Sequence, residues 1–378
     1  MRTTFLAVLL AFPAAAFGQL SMNPLPDWEK RIRIGGTLAV EFSKGQGDAT
    51  RAFPKPGFSI QQFRPVLDAQ ISDNISAFWE ANIVDQAEFQ NKTLATQLYV
   101  RLDNIAQKEW LNAKAGKFAV PFGEEYVLTI YPIDNPLISH TVAFPYGEDT
   151  GLEFFGSTPN DKFHYAVAAM NGAAMGNDGT TFQSEGQLAY GGKVWTTPAP
   201  WFEGMLSALS TGKRGTQALP GKTQFEIGGD QFDGVTNEVA ANIYGADLIL
   251  THPAWGRFWA SGGIVDVHRP DPGMNSRRMV YYSAEVKHDF CPKFFGAARF
   301  SALWSQVKDG VAEVFDGGNG WNDFAVRSVN RVSVGMGYKL DEHAIAKVEY
   351  TFDNANYLAS AASHARKGYF VAQLATKF

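Results

Sequence analysis

The chain has 378 residues, 45% of them hydrophobic and 19% charged, with a formal net charge of −5. So small a charge for this length leaves no electrostatic footprint for nucleic acid. One cysteine, Cys291, excludes both an internal disulfide and a CxxCH haem site within the chain.

The first stretch, MRTTFLAVLLAFPAAAFGQ, carries Arg2, an apolar run over 5–16, and the small residues Ala16 and Gly18. It reads as a signal peptide over 1–18, since the run is shorter than the roughly 20 residues that a membrane anchor needs. Residues 19–30 then form a short periplasmic segment and 31–378 the folded body. No later run is long and apolar enough for a spanning helix.

From residue 31 onward, alternating segments predict sixteen strands. The clearest are RIRIGGTLAVEFS (31–43), FSIQQFRPVLDAQI (58–71), ISAFWEANIVD (75–85), NIYGADLILT (242–251), RRMVYYSAEVKH (277–288) and FAVRSVNRVSVGMGYKL (324–340). The weakest alternation lies in 97–104, 150–157 and 202–211. The predicted connections are 44–57, 72–74, 86–96, 105–110, 123–149, 158–161, 172–186, 197–201, 212–238, 252–254, 268–276, 289–293, 306–322, 341–343 and 354–367. They alternate long and short throughout, every long one with at least nine residues and every short one with six or fewer. That parity predicts an all-β transmembrane antiparallel β-barrel with short periplasmic turns and long extracellular loops. The last segment, GYFVAQLATKF, alternates up to a terminal Phe378, as a strand closing such a barrel would.

Alternation also sorts side chains between lipid and lumen. Ile32, Ile34, Leu38, Val40 and Phe42 oppose Arg33, Thr37 and Glu41. A lipid-facing Arg or Lys near the midplane costs about 2–4 kcal/mol, so the charged face is the lumen. The pore-lining basic set is Arg33, Arg64, Arg101, Lys117, Lys193, Arg257, Lys287, Arg299, Arg327, Arg331 and Lys347. The acidic set is Glu41, Asp68, Glu80, Asp103, Glu153, Asp247, Glu285 and Glu349. The basic side has a small excess, though cross-strand pairing within the wall accounts for such residues equally well. Phe42, Phe58, Trp195, Trp255 and Phe370 fall near strand ends, where interface girdles sit.

The connection 123–149, GEEYVLTIYPIDNPLISHTVAFPYGED, is rich in apolar residues for a loop. It either folds into the barrel and narrows it or packs at the mouth. Its charges are Glu124, Glu125, Asp134, Glu148 and Asp149, with no Lys or Arg; as a constriction it would oppose anions. The seven histidines are scattered, and there is no GxSxG, HExxH or Walker-type loop. The expectation is therefore no enzyme, no cofactor and no metal.

KAGKFAVPFGEEY (114–126), GEDTGLEFFG (147–156) and FHYAVAAMNG (163–172) together resemble the phosphate-selective porin O and P family. The matching residues are Gly116, Lys117, Phe118, Pro121, Phe122 and Gly123, then Asp149, Thr150 and Gly151, then Asn171 and Gly172. The resemblance implies a sixteen-stranded, homotrimeric porin in outer-membrane lipid whose third loop folds inward, passing small ions or solutes by passive diffusion. Family members select phosphate with lysines and arginines at the constriction, and the acidic loop here departs from that. Two other readings are a barrel sleeve around a partner electron carrier and a soluble secreted β-protein.

Overall fold

The computed structural model describes residues 31–47, 56–83, 95–145, 148–171, 188–210, 225–227, 230–231, 240–268, 277–307, 326–357 and 364–378. The expected signal peptide and the segment 19–30 lie outside them.

Sixteen antiparallel strands close into a barrel. They are β1 (Ile32–Gly47), β2 (Gly57–Ser72), β3 (Ile75–Glu80), β4 (Gln97–Leu102), β5 (Asn112–Ala119), β7 (Glu148–Ser157), β8 (Phe163–Met170), β9 (Ala189–Ala199), β10 (Phe202–Ser210), β13 (Ala240–His252), β14 (Gly256–His268), β15 (Arg277–Asp289), β16 (Phe294–Val307), β17 (Val326–Lys339), β18 (Ala344–Tyr357) and β19 (His364–Lys377). Three short strands, β6 (Ala143–Pro145), β11 (Phe225–Ile227) and β12 (Asp230–Gln231), form a separate small sheet. The three weakly alternating segments are all strands, β4, β7 and β10. Each barrel strand pairs with its neighbours in sequence, and β19 pairs with β1 from Thr37 opposite Lys377 to Gly47 opposite Lys367. Gly36 and Phe378 exchange backbone hydrogen bonds of 2.9 and 3.0 Å at the seam. A closed ladder leaves no strand edge unpaired, which a hydrocarbon environment requires.

Two faces with opposite chemistry follow from the pleat. On β18 the outward Val348, Tyr350 and Phe352 are about 40% exposed (39%, 43% and 40%), whereas the intervening Lys347, Glu349, Thr351 and Asp353 are all buried. On β17 the outward Val332, Val334, Met336 and Tyr338 alternate with buried Ser333 in the same way. The exposed set makes an apolar exterior, and the charged set is turned into the barrel.

Three details differ from the sequence reading. The connection between β4 and β5 runs over 103–111, because Ile105–Gln107 form a 3-10 turn there. At the long-loop end the connection between β18 and β19 is only 358–363. The ladder continues there through Asn354 opposite Arg366 and Asn356 opposite His364, polar residues that carry no hydrophobic alternation. Long and short connections still alternate, but without a clean gap in length. Trp195 is no girdle residue: it stands opposite Met205 and His164 on the inner face, its ring stacked on His164 with centroids 4.9 Å apart.

Val334, outward and 54% exposed, gives a direct check on this facing. Val334→Arg should destabilise the barrel by about 2–4 kcal/mol in equilibrium unfolding from phospholipid vesicles; an unchanged stability would place that face away from lipid.

Candidate functional site

After β5 the chain turns into the barrel. Phe122 is buried against Gly245 on β13, where a Cβ would lie 2.9 Å from the Phe122 ring and 3.0 Å from the Tyr281 hydroxyl. The next residue, Gly123, has φ +59°, a conformation that side chains other than glycine's rarely adopt. Its N–H donates to Ser207 Oγ at 2.9 Å. Its carbonyl and the Glu124 carboxylate accept from Lys193 Nζ at 3.2 and 3.1 Å. The Pro-Phe-Gly triplet is thus a bend fitted to a recess in the inner wall. A short helix follows, α1 (Glu125–Thr129).

The loop then crosses the lumen. On the β2–β3 side, Gln62 donates to the Ile130 carbonyl at 2.9 Å and Tyr131 donates to Glu80 at 2.7 Å. On the β15–β18 side the anchoring is denser. Lys347 Nζ donates to the carbonyls of Pro132, Asn135 and Leu137 at 2.6, 3.0 and 3.0 Å. Glu349 accepts from the N–H groups of Ile138 and Ser139. Arg299 donates to the Ser139 carbonyl at 2.6 Å and Arg331 to that of His140 at 3.0 Å. Val142 N–H reaches Ser301 Oγ at 3.1 Å. Apolar packing completes the attachment, with Phe118, Phe122 and Val142 in one buried cluster with Ile243, Val265, Met279, Tyr281 and Leu303 of the wall. The loop is inside the barrel, and it leaves through β6, which pairs with β11.

These contacts redefine the wall charges. Arg64 pairs with Glu80 at 2.6 Å, Arg101 with Asp103 at 2.8 Å, and Arg331 with Asp353 at 2.7 Å. Arg257 and Arg299 share Glu285 at 2.8 and 2.5 Å, and Lys114 pairs with Glu153 at 3.0 Å. Arg33 stands opposite Asp68 in the β1–β2 ladder, and Glu41 accepts from Gln373 at 2.5 Å. The basic excess counted from sequence is engaged by carboxylates and loop carbonyls. Lys117 falls in register with Leu98 and Thr150, on the outward-facing set with exposed Leu98, and donates to the Ala95 carbonyl at 3.1 Å. Alternation had placed Lys117 in the lumen; the glycine beside it, Gly116, has a positive φ. The Arg327 side chain lies outside the described residues.

The acidity of the loop is also less available than its composition implies. Glu125 is buried and accepts from Thr141 N–H and Oγ1 at 2.8 and 2.7 Å. Glu148 and Asp149 are buried at the start of β7, and Glu124 is paired with Lys193. Asp134 alone of the five is exposed. Sequence reasoning missed the neutral anchors Gln62, Ser207 and Ser301 and the recess at Gly245; inward parity was their one signal, and it does not distinguish them from dozens of other positions.

No family model matches the chain, and no curated protein matches it by sequence. Solved structures do match its fold. OmpT, an outer membrane protein of Vibrio cholerae, in its trimer form, superposes with a TM-score of 0.63 at 10% identity over 92% of this chain and 99% of that one. The anion-selective porin from Comamonas acidovorans gives 0.59 at 10% identity over 92% and 99%. The outer membrane channel DcaP of Acinetobacter baumannii gives 0.58 at 12% identity over 92% and 97%. The fold is that of bacterial outer-membrane porins.

Burial pushes the Glu125 carboxyl up to about 7, against the pull of Arg299 and the Thr141 hydrogen bonds. Burial, then Arg299 and Arg331, push His140 down to about 3. A raised carboxyl pKa means that the folded chain holds a proton that the unfolded chain releases, so this contribution is full below about 4.5 and is lost as pH rises through 7. The neutral variant Glu125→Gln removes that dependence. The stability of the wild type relative to E125Q should therefore fall between pH 5 and 7.5 in vesicle unfolding; a rise or no change would contradict the assignment. Glu349→Ala should free the loop, leaving two N–H groups without their acceptor at a cost of about 1–3 kcal/mol each. Limited proteolysis of the folded barrel should then cut within 130–142, where the wild type resists.

Proposed function

We propose that the protein is an outer-membrane porin that admits small hydrophilic solutes and ions by passive diffusion, exported with the help of the leader 1–18. The observation that carries this reading is the loop pinned across a polar lumen inside a barrel with an apolar exterior. Such a loop narrows the passage, and the side chains left facing it set the preference. The short turns face the periplasm and the long loops the exterior. The pore-lining role belongs to inward side chains that stay open to the lumen, such as Arg101, with Asp134 at the narrowing, while the buried Glu80, Arg299, Lys347 and Glu349 hold the loop.

The resemblance to the phosphate-selective O and P family is supported by the way its motif residues work together here, Phe122 and Gly123 above all. Phosphate selectivity is not part of the proposal. Arg299, Arg331 and Lys347 each donate to loop carbonyls, so these cations are held away from a passing anion. A homotrimer is supported by the OmpT structure solved in trimer form, and no catalytic role is proposed.

Reversal potential in a planar bilayer under a salt gradient tests the reading. The expected result is a conducting channel with a weak preference for cations, whose current millimolar phosphate leaves unchanged. Phosphate block would restore the family's selectivity. Well-folded protein without conductance would overturn the diffusion reading and return the sleeve.

A further inference from the structure

The inner wall of β4, β5 and β7 carries a group of charged side chains that pair with one another and not with the loop. Arg101, Lys114 and Glu153 stand opposite one another along the ladder. Beside them, Phe155 has Arg101 Cζ at 5.1 Å and Lys114 Nζ at 4.8 Å from its ring centroid. Lys114 Nζ also lies 5.5 Å from the ring of Tyr99, which is itself stacked on Phe78 at 5.0 Å. Two ion pairs make the group neutral, Arg101 with Asp103 and Lys114 with Glu153. Arg101 is the most open member, its side chain 44% exposed. It spends only Nε on Asp103, leaving its terminal N–H groups as donors.

Resting on the channel reading, we propose that this group is a subsite for neutral cyclic polyols, the pyranose class of sugars. The charges decide the class. A neutral wall offers no net attraction to an anion or a cation, yet it sets donors and acceptors within 3 Å of each other. A hydroxyl, both donor and acceptor, uses both kinds; a carboxylate uses only the donors and an ammonium only the acceptors. The half-buried ring of Phe155 supplies the apolar surface against which the C–H face of a sugar ring packs, whereas Tyr99 is covered by Phe78 and Lys114 and backs the group from behind. An open-chain polyol has the same hydroxyls and no such face.

Liposome swelling with the folded full-length protein separates the possibilities, using glucose and the acyclic mannitol, which match closely in size. Glucose should enter about threefold faster than mannitol, and both Phe155→Ala and Arg101→Gln should erase that difference. Heat-modifiable gel mobility confirms that each variant is folded. Equal rates for the two solutes in the wild type, or a difference that survives both variants, would overturn the subsite. Absence of swelling with any solute would overturn the channel reading instead. Saturation-transfer difference NMR on the same protein then decides the subsite by itself: transfer to glucose that is lost in F155A upholds it, and no transfer, or transfer to benzoate only, overturns it.

Discussion

A lysine turned into the interior of a barrel needs acceptors for its three N–H groups, and Lys347 finds them in three carbonyls of one loop. Its neighbour Glu349, two residues along the same inner face, takes two backbone N–H groups of that loop. The pair therefore reads the loop backbone from both sides, as a strand partner would. Loop backbone at membrane depth is tolerable only where its polar groups are satisfied by protein or water. Here the wall supplies that satisfaction, and the loop in return satisfies the wall's charges.

This exchange explains why the composition of the wall misleads. A count of inward Arg and Lys predicts an anion path, but an ion pair or a carbonyl clamp removes most of that charge from the passage. Arg299 is the clearest case, since Glu285, Asn135 and the Ser139 carbonyl account for its donors. Such buried networks add little net stability compared with apolar packing, yet breaking one member is costly because its partner stays behind. Their effect here is geometric: they define where the loop sits. The apolar cluster around Phe122, Val142 and Tyr281 supplies the packing that a purely ionic attachment lacks.

The wall opposite the clamp, on β4, β5 and β7, keeps charges that are balanced in place and not committed to the loop. The charges that hold the loop are thus concentrated on β16–β18, while those of β4, β5 and β7 pair with one another. That division follows from which strands the loop reaches, not from a difference in residue types, since both sides carry Arg, Lys and Glu.

What the sequence determined by itself was the barrel. Strand count and facing are local properties: lipid forbids charge on one face, so a period of two is written into each segment, and even weakly alternating β4, β7 and β10 were readable; closure followed from the need to leave no edge in lipid. The inward direction of Arg64, Glu80, Arg299 and Lys347 came from the same parity. Parity failed at Lys117, next to a glycine with unusual backbone, and at Trp195, where an aromatic near a strand end faces the lumen. Only the tertiary structure decided the course of 120–142 and the state of the wall charges. Pro132 and Lys347 are 215 positions apart in the chain, and no local period links them. Their meeting depends on closure of the whole barrel, which brings β18 around to a loop that left the wall at β5.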